Sequence, residues 1–231
     1  MGQNRTNLNP PKGQRKATFS RVGSKETKRA LVRSAVALWR TNGFADTTVA
    51  DICAAAGVSK GLFYFYFARK EDILNEVGVL SIESTRAEAR KRMVGDYELF
   101  EVIDAVLAHF GRSMRRNPRP LVLEVILEGY RRESLLGPDA DPAGLLFTDL
   151  FERAVADGRL PDRIEPRQLS RRAQTIVSES ARAWASGALG TMTFEQATGS
   201  WMRVLVDGTI AQLPSQRPGS NRRLAAAMRR Q

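Results

Sequence analysis

Three observations predict an all-α fold for this chain. Apolar residues between positions 24 and 213 recur at intervals of three and four, as in Leu31, Ala35, Leu38 and Trp39, and this spacing places them on one face of a helix. Breaks that contain Gly, Pro or Asp separate the periodic segments, and such residues end helices. The sequence shows no convincing alternation of apolar and polar residues, which is the pattern typical of strands.

The periodic segments predict about nine helices. The first ends before Gly43. The second starts at Thr47 or Thr48, where Asp51 completes a capping-box pattern, and ends at Ala56. The helices that follow are predicted at roughly 60–67, 69–93, 97–115, 119–133, 142–157, 166–188 and 193–213.

The composition is that of a protein with a packed core and few groups for metal or redox chemistry. The chain has 231 residues, of which 42% are hydrophobic, enough for one large domain or two small ones. The single cysteine, Cys53, excludes an internal disulfide, and with the single histidine, His109, it leaves too few ligands for a closed zinc site. We therefore expect neither a metal nor a cofactor. Because the sequence also lacks a secretory or membrane-spanning apolar run, we expect a cytoplasmic protein without a membrane partner.

The positive charge lies at the two ends of the chain. The formal net charge is +11; residues 1–29 contain eight basic residues and one acid, and residues 214–231 contain five arginines and no acid. We predict a disordered basic arm over 1–23, a helical body, and a flexible basic tail over 214–231. Such an excess of cations favours an anionic partner.

Two short helices joined by a glycine turn are typical of a helix-turn-helix motif, here at 47–66. Gly57 and Val58 supply the turn, and Ser59 is a suitable N-cap for the helix that follows. The second helix of such a motif enters the major groove of DNA. We therefore predict that residues 24–75 form a DNA-binding domain and that residues 76–213 form a second helical domain.

The predicted reading helix carries aromatic side chains at every position from Phe63 to Phe67. At about 100° per residue, Phe63 and Phe67 share one face, which we expect to pack against Ile52 and Leu38. Phe65 then points away from that core.

The outward side chains of this helix predict a surface that contacts DNA. The tyrosines on either side of Phe65 can donate hydrogen bonds to phosphates, while Phe65 and Leu62 can meet base edges or thymine methyl groups. Backbone N–H groups near Lys60 and Gly61 can receive a phosphate. A small helical bundle that does not touch DNA would leave this exposed aromatic row without a purpose.

Residues across about 24–75 carry a resemblance to a known family. They are Gly43-Phe44, Thr47-Thr48-Val49, Asp51-Ile52, Ala56-Gly57-Val58-Ser59-Lys60-Gly61, Tyr64, Phe67 and Lys70-Glu71. This pattern resembles the N-terminal signature of tetracycline-repressor-type (TetR family) transcriptional regulators. The resemblance implies a homodimer whose N-terminal domains bind a palindromic operator. It also implies a C-terminal helical domain that binds an inducer and forms the dimer.

The resemblance also implies which positions contact DNA. Three of them depart from the common family pattern: Leu62 replaces a small or hydroxyl residue, Phe65 replaces Tyr or Trp, and Tyr66 replaces His. Because Leu62 and Phe65 offer no hydrogen bond to a base, we expect apolar contacts and a greater dependence on DNA shape. Including the N-cap Ser59, the predicted DNA-binding residues are Thr48, Ser59, Lys60, Gly61, Leu62, Tyr64, Phe65, Tyr66 and Lys70.

The last two predicted helices are apolar around much of their circumference. One apolar stripe is enough for burial within a subunit, so a second stripe needs another surface. Two such helices from each of two copies would form a four-helix interface about a twofold axis; an internal hairpin is the alternative. The predicted interface residues are Ile176, Val177, Ser180, Trp201, Val204, Leu205 and Gly208.

An effector cavity would be lined by the helices between roughly 80 and 185. Apolar and aromatic side chains there favour an apolar or aromatic effector, and each of them is also compatible with plain core packing. The candidate ligand-binding residues are Met93, Phe100, Ile103, His109, Phe110, Leu127, Tyr130, Phe147, Phe151 and Trp184.

The sequence favours a ligand-responsive regulator, most simply a repressor that an effector releases from its operator. The resemblance implies that the effector acts by moving the fourth helix and so the separation of the two reading helices. An enzyme is disfavoured, because His109 is the only imidazole and no glycine loop for phosphates is present. Non-specific, nucleoid-type nucleic-acid binding through the basic ends is the alternative function.

Overall fold

Nine α-helices account for the regular structure of the described residues. The structure is a computed structural model that describes residues 12–136 and 144–212, with side chains from residue 24 onward. The predicted all-α class is confirmed there. The helices are α1 (Lys12–Asn42), α2 (Val49–Ala56), α3 (Lys60–Tyr66), α4 (Glu71–Arg92), α5 (Leu99–Arg115), α6 (Arg119–Leu136), α7 (Thr148–Ala156), α8 (Pro166–Ala185) and α9 (Phe194–Ala211).

Two predicted boundaries differ from the structure. Helix α1 begins at Lys12, so residues 12–23, predicted as part of a disordered arm, are helical. No proline lies between Lys12 and Asn42 to interrupt the helical backbone. Helix α7 begins at Thr148 and not near residue 142, because Gly144 has φ of 73°, a left-handed conformation that an α-helix cannot contain. Residues 1–11 and the predicted tail at 214–231 lie outside the described residues.

The N-terminal helices pack around one apolar cluster. Trp39, Ile52 and Phe63 are buried at its centre, and Leu38 packs against it. The predicted packing of Phe63 against Ile52 and Leu38 is therefore confirmed, and Phe67 is buried in the same cluster. This cluster fixes how α3 sits on α1 and α2.

A second cluster holds the C-terminal helices together. Helix α5 packs against α4 and α9, while α8 packs against α6, α7 and α9. Helix α4 belongs to both clusters, since Ile73 and Leu74 are buried in the N-terminal one and Ala89 in the C-terminal one. A single continuous helix therefore joins the two halves. No described helix combines the length and apolar character needed to cross a membrane.

Candidate DNA-binding surface and effector domain

The start of the helix-turn-helix is fixed by reciprocal hydrogen bonds at the N-terminus of α2. The Thr48 hydroxyl accepts from the Asp51 backbone N–H at 3.2 Å, and the Asp51 carboxylate accepts from the Thr48 N–H at 2.9 Å. This is the predicted capping box. The hydrogen bonds from the Thr48 hydroxyl and backbone hold the pKa of Asp51 below its usual value. Because the Thr48 hydroxyl also donates to Asp51 at 2.7 Å, its proton is already used within the protein.

The turn between α2 and α3 depends on one glycine and one serine. Gly57 has φ of 66° and ends α2 in the left-handed conformation, which favours glycine. Ser59 has extended backbone, and its hydroxyl accepts from the Leu62 N–H at 3.2 Å. The predicted N-cap role of Ser59 is thus confirmed, and Lys60 and Gly61 lie exposed in the first turn of α3.

Helix α3 presents apolar and aromatic side chains to solvent. Phe63 is fully buried, whereas Phe65 is 76% exposed, Tyr64 is 55% exposed and Leu62 is 37% exposed. The aromatic surface predicted from the helical angles is therefore present. A soluble protein rarely exposes such a patch without a partner, and its width is that of a single helix, which fits the major groove.

Tyr66 differs from the other outward residues of α3. It is half-buried, and its hydroxyl donates to the Ser24 hydroxyl of α1 at 3.0 Å. The sequence predicted that Tyr66 donates to a phosphate. Because the phenol has a single proton, Tyr66 cannot do so while it donates to Ser24. Its hydroxyl instead ties the end of α3 to α1.

Lys70 also has a different role from the one predicted. Its ammonium donates to the backbone oxygens of Phe44, Ala45 and Thr47, at 2.9, 3.3 and 3.0 Å, and lies 4.4 Å from the centre of the Phe44 ring. An ammonium has three donors, and all of them are used here. Lys70 therefore closes the loop between α1 and α2, and its ammonium has no N–H left to donate to a phosphate.

Most of the candidate effector residues lie in tight core packing. Met93, Ile103, Phe147 and Phe151 are buried in the C-terminal cluster, and the last two rings stack at 5.7 Å. Phe100 and Phe110 pack against the same cluster. These residues do come together in one region, as the sequence predicted.

The remaining candidate effector residues lie nearer the surface. His109 is half-buried and its Nε2 lies 3.1 Å from the Ser84 hydroxyl of α4; Leu127 is half-buried and Tyr130 is 39% exposed. Trp184 borders an open cleft of about 500 Å³ that also includes Arg119. Trp184 therefore packs against the same C-terminal cluster as the buried candidates and also borders this cleft.

The predicted dimer residues divide into two groups. Val177 and Ser180 are buried within the subunit, Val177 in the C-terminal cluster, so the prediction that they form an intersubunit surface is corrected. Ile176 and Leu205 are half-buried against the same core. On α9, Trp201 and Val204 are each 61% exposed.

Trp201, Val204 and Gly208 share one edge of α9, at positions i, i+3 and i+7. The buried side of the helix is formed by Phe194, Met202 and Val206. The sequence grouped Trp201 with Phe194 and Ala197 in one apolar stripe and Met202 with Val206 in another. The structure corrects this grouping, because it buries Phe194, Ala197, Met202 and Val206 and leaves Trp201 and Val204 exposed.

The structure reveals an ionic network that the sequence did not predict. It joins α6 to the reading domain, by which we mean the DNA-binding domain predicted at residues 24–75. Glu128 of α6 has a fully buried side chain and accepts from Arg69, in the turn after α3, at 2.5 Å. Arg132 of α6 pairs with Asp72 of α4. Periodicity gave one weak signal, an acid within the apolar run of α6, but it could not identify the partners.

The fold and the exposed reading helix define a helix-turn-helix DNA-binding protein. A family model described as bacterial regulatory proteins, tetR family, matches residues 31–77, which span the C-terminal part of α1, the motif and the start of α4. The predicted resemblance is confirmed: the chain carries the N-terminal domain of the TetR family.

Relatives and solved structures agree with this assignment. The HTH-type transcriptional regulator AcrR of Shigella flexneri is 29% identical over 107 residues, which cover 45% of this chain and 49% of AcrR. The FadR repressor of Thermus thermophilus, solved with lauroyl-CoA, has a TM-score of 0.66 and 23% identity, over 84% of this chain and 98% of FadR. RolR, solved with resorcinol, has a TM-score of 0.55 and 21% identity, over 85% and 98%.

These comparisons reach different parts of the chain. The chain spans about half the length of AcrR, and the family model matches its N-terminal region. The likeness to FadR and RolR spans both helical regions and shows the TetR-like fold. TetR-family proteins bind DNA and small-molecule effectors.

Proposed function

We propose that this protein is a DNA-binding transcriptional regulator that acts as a homodimer on a palindromic operator and is released by a small effector. The observation that carries the proposal is the exposed face of α3, where Phe65 is 76% and Tyr64 is 55% exposed beside the buried Phe63. A bacterial regulator that reads chromosomal DNA works in the cytoplasm, and we place the protein there.

The geometry of α3 supports a division of roles among its side chains. Tyr64 donates to a phosphate and positions the helix, while Phe65 and Leu62 lie against the base edges. Tyr66 and Lys70 act indirectly, since they hold α3 and the α1–α2 loop in place. Sequence preference then comes from apolar contacts and from DNA shape.

Dimerisation follows from the apolar edge of α9. Trp201 and Val204 expose large apolar surfaces, and Gly208 allows close approach on the same edge. Two copies of this edge related by a twofold axis bury each other's tryptophan. The two reading helices then enter successive major grooves about 34–36 Å apart.

Effector binding in the C-terminal domain would reach the reading helix through α4 and α6. Helix α4 contributes to both apolar clusters, and α6 is bonded to the reading domain through Glu128. FadR was solved with lauroyl-CoA and RolR with resorcinol, and we propose an apolar or aromatic effector here as well.

We propose that the protein has no catalytic activity of its own. Ser84 and His109 lie 3.1 Å apart, which is a distance found between a nucleophile and its base. Both residues lie in the interior of helices α4 and α5, where the backbone N–H groups are already hydrogen-bonded. No free pair of N–H donors is therefore available beside Ser84 to stabilise an oxyanion.

The experiment that tests this function is fluorescence anisotropy of the full chain on the DNA upstream of its gene and on scrambled DNA, at two salt concentrations. We expect tight binding to the upstream DNA that persists at the higher salt. Phe65→Ala should change sequence preference, whereas Tyr64→Phe should weaken all sequences about equally. Equal, salt-sensitive binding of both DNAs would instead favour non-specific binding through the basic ends.

A further inference from the structure

A cleft separate from the buried effector candidates lies between the α5–α6 corner and the α8–α9 loop. It has a volume of about 500 Å³ and is lined by Arg115, Arg119, Trp184, Leu189, Met192 and Glu195, among others. Small-molecule sites in proteins commonly have volumes of about 300–1,000 Å³. The cleft is therefore large enough for a small organic molecule.

Two of the charged groups in the cleft neutralise each other. Arg115 donates to both Glu195 oxygens, at 3.0 and 2.7 Å. Although burial opposes the charge of Glu195, these hydrogen bonds hold its pKa below the usual value, so it stays ionised. A side chain at Gly111 would overlap the Glu195 carboxylate, which shows how closely this pair is fitted against α5.

The charge of Arg119 is left without a carboxylate partner among the described residues. Its guanidinium lies 5.1 Å from the centre of the Trp184 ring, and this stacking holds it at the cleft. A guanidinium presents parallel N–H donors that match a carboxylate in a two-point hydrogen bond. The cleft thus carries one net positive charge, on the exposed Arg119 beside the Trp184 ring.

The rest of the lining combines apolar side chains with Thr191 and Thr193. Leu189 and Met192 come from the α8–α9 loop, and Met192 is 52% exposed. With the Trp184 ring, they offer a surface for the carbon skeleton of a ligand whose anionic end lies on Arg119.

We propose that this cleft binds a small organic carboxylate. Arg119 binds the carboxylate, and Trp184, Leu189 and Met192 contact its apolar part. The site is distinct from the core residues Phe147 and Phe151, where the sequence predicted an effector.

The cleft lies where the two halves of the protein meet. Asn117, two residues before Arg119, accepts a hydrogen bond from Arg40 of α1 at 3.0 Å. Leu121, two residues after Arg119, is buried in the N-terminal cluster. A ligand that moves the start of α6 therefore changes how the reading domain packs against α6 and lowers DNA affinity. This step alone rests on the proposed function.

The test is an NMR titration of the isotope-labelled full chain, in which the indole N–H resonances of its three tryptophans are monitored. Trp184→Phe assigns the resonance that reports on the cleft. Benzoate and octanoate are the probes, benzamide is the neutral control and inorganic phosphate is the control without an apolar part. We expect a saturable shift of the Trp184 resonance with the two carboxylates only. Arg119→Gln should weaken binding at least about tenfold, the loss of one charged hydrogen-bonding group.

The matched control is Arg116→Gln, which removes an exposed arginine at the end of α5 that does not line the cleft, and it should leave the affinity within about twofold. The proposal is overturned if neither carboxylate shifts Trp184, if benzamide or phosphate binds as well, or if Arg119→Gln binds normally.

Operator affinity is measured separately with and without benzoate. A saturable shift with unchanged DNA affinity would support the site and refute its effect on DNA. A protein that fails to bind DNA at all would refute the proposed function, while the titration would still decide whether the cleft binds carboxylates.

Discussion

The guanidinium of Arg69 lies 2.5 Å from the carboxylate of Glu128. Arg69 belongs to the turn that follows the reading helix, and Glu128 lies in α6 with a fully buried side chain. A buried carboxylate is costly unless it is paired, so this contact favours one position of α6 relative to the reading domain.

Replacing Glu128 should therefore destabilise the protein and loosen the connection between its halves. For Glu128→Gln we expect a loss of about 2 kcal/mol in the free energy of unfolding, the size of one hydrogen bond between charged groups, measured by urea denaturation. Glu133→Gln, an exposed acid on the same helix, is the control and should change stability by less than about 0.5 kcal/mol. Equal effects of the two variants would contradict a structural role for the buried pair.

Lys70 and Lys60 should respond differently to removal of their charge. Lys70→Gln removes three hydrogen bonds to the α1–α2 loop and should lower the free energy of unfolding by about 1–3 kcal/mol. It should leave the salt dependence of DNA binding unchanged. Lys60→Gln, which removes an exposed charge at the start of α3, should reduce the slope of log affinity against log salt by about one. A reduced slope for Lys70→Gln would show that its ammonium does reach a phosphate.

The two tyrosines of α3 should also respond differently to the loss of their hydroxyl groups. Tyr64→Phe removes an exposed phenol and should weaken binding to every DNA sequence without affecting stability. Tyr66→Phe removes the hydrogen bond to Ser24 and should cost about 1 kcal/mol of stability, with a smaller effect on DNA affinity. Anisotropy and thermal unfolding of both variants check this, and Ser24→Ala should reproduce the effect of Tyr66→Phe.

The apolar edge of α9 should control assembly. Val204→Glu places a charge beside Trp201 and should convert the dimer into monomers, measured by light scattering after gel filtration. Ile210→Glu is the matched control, since Ile210 is also exposed but lies about 120° away from Val204 around the helix. If both variants stay dimeric, another surface holds the two copies together.

His109 should make stability depend on pH below the ordinary histidine pKa of about 6.5. Burial lowers the pKa of His109, and nearby Glu88 opposes this only in part. The folded protein therefore binds this proton less readily than the unfolded chain. The free energy of unfolding is highest above the ordinary histidine pKa of about 6.5, and it decreases as the pH falls from there through the lowered pKa of His109 in the folded protein. His109 is the only histidine, so His109→Gln should flatten this part of the profile. An unchanged slope in urea denaturation across this range would contradict the burial of the ring.

Local sequence patterns were sufficient for the DNA-binding motif. Thr48 bonds to Asp51 and Ser59 to Leu62, in each case three residues apart, and Gly57 ends α2 in the left-handed conformation. Such short-range features are visible in the sequence. The helical angle alone then separates Phe63, which is buried, from Phe65, which is exposed.

Residue roles that depend on distant partners could not be predicted in this way. Tyr66 and Lys70 both lie on the side where DNA is expected, but their hydrogen bonds go to Ser24 and to the loop at Phe44. In the same way, the apolar period of α8 does not say whether Val177 faces its own subunit or another. The structure places it in the core.

The helical class, the helix-turn-helix and the face of α3 that is free to contact DNA could all be predicted from the sequence, because they follow from periodicity and capping within a few residues. Which polar groups remain available depends instead on tertiary contacts. A hydroxyl or ammonium has few donors, and partners brought together across 23 to 59 residues of chain use those of Lys70, Tyr66 and Arg69. The same packing leaves Arg119 without a carboxylate partner in the described structure, beside Trp184.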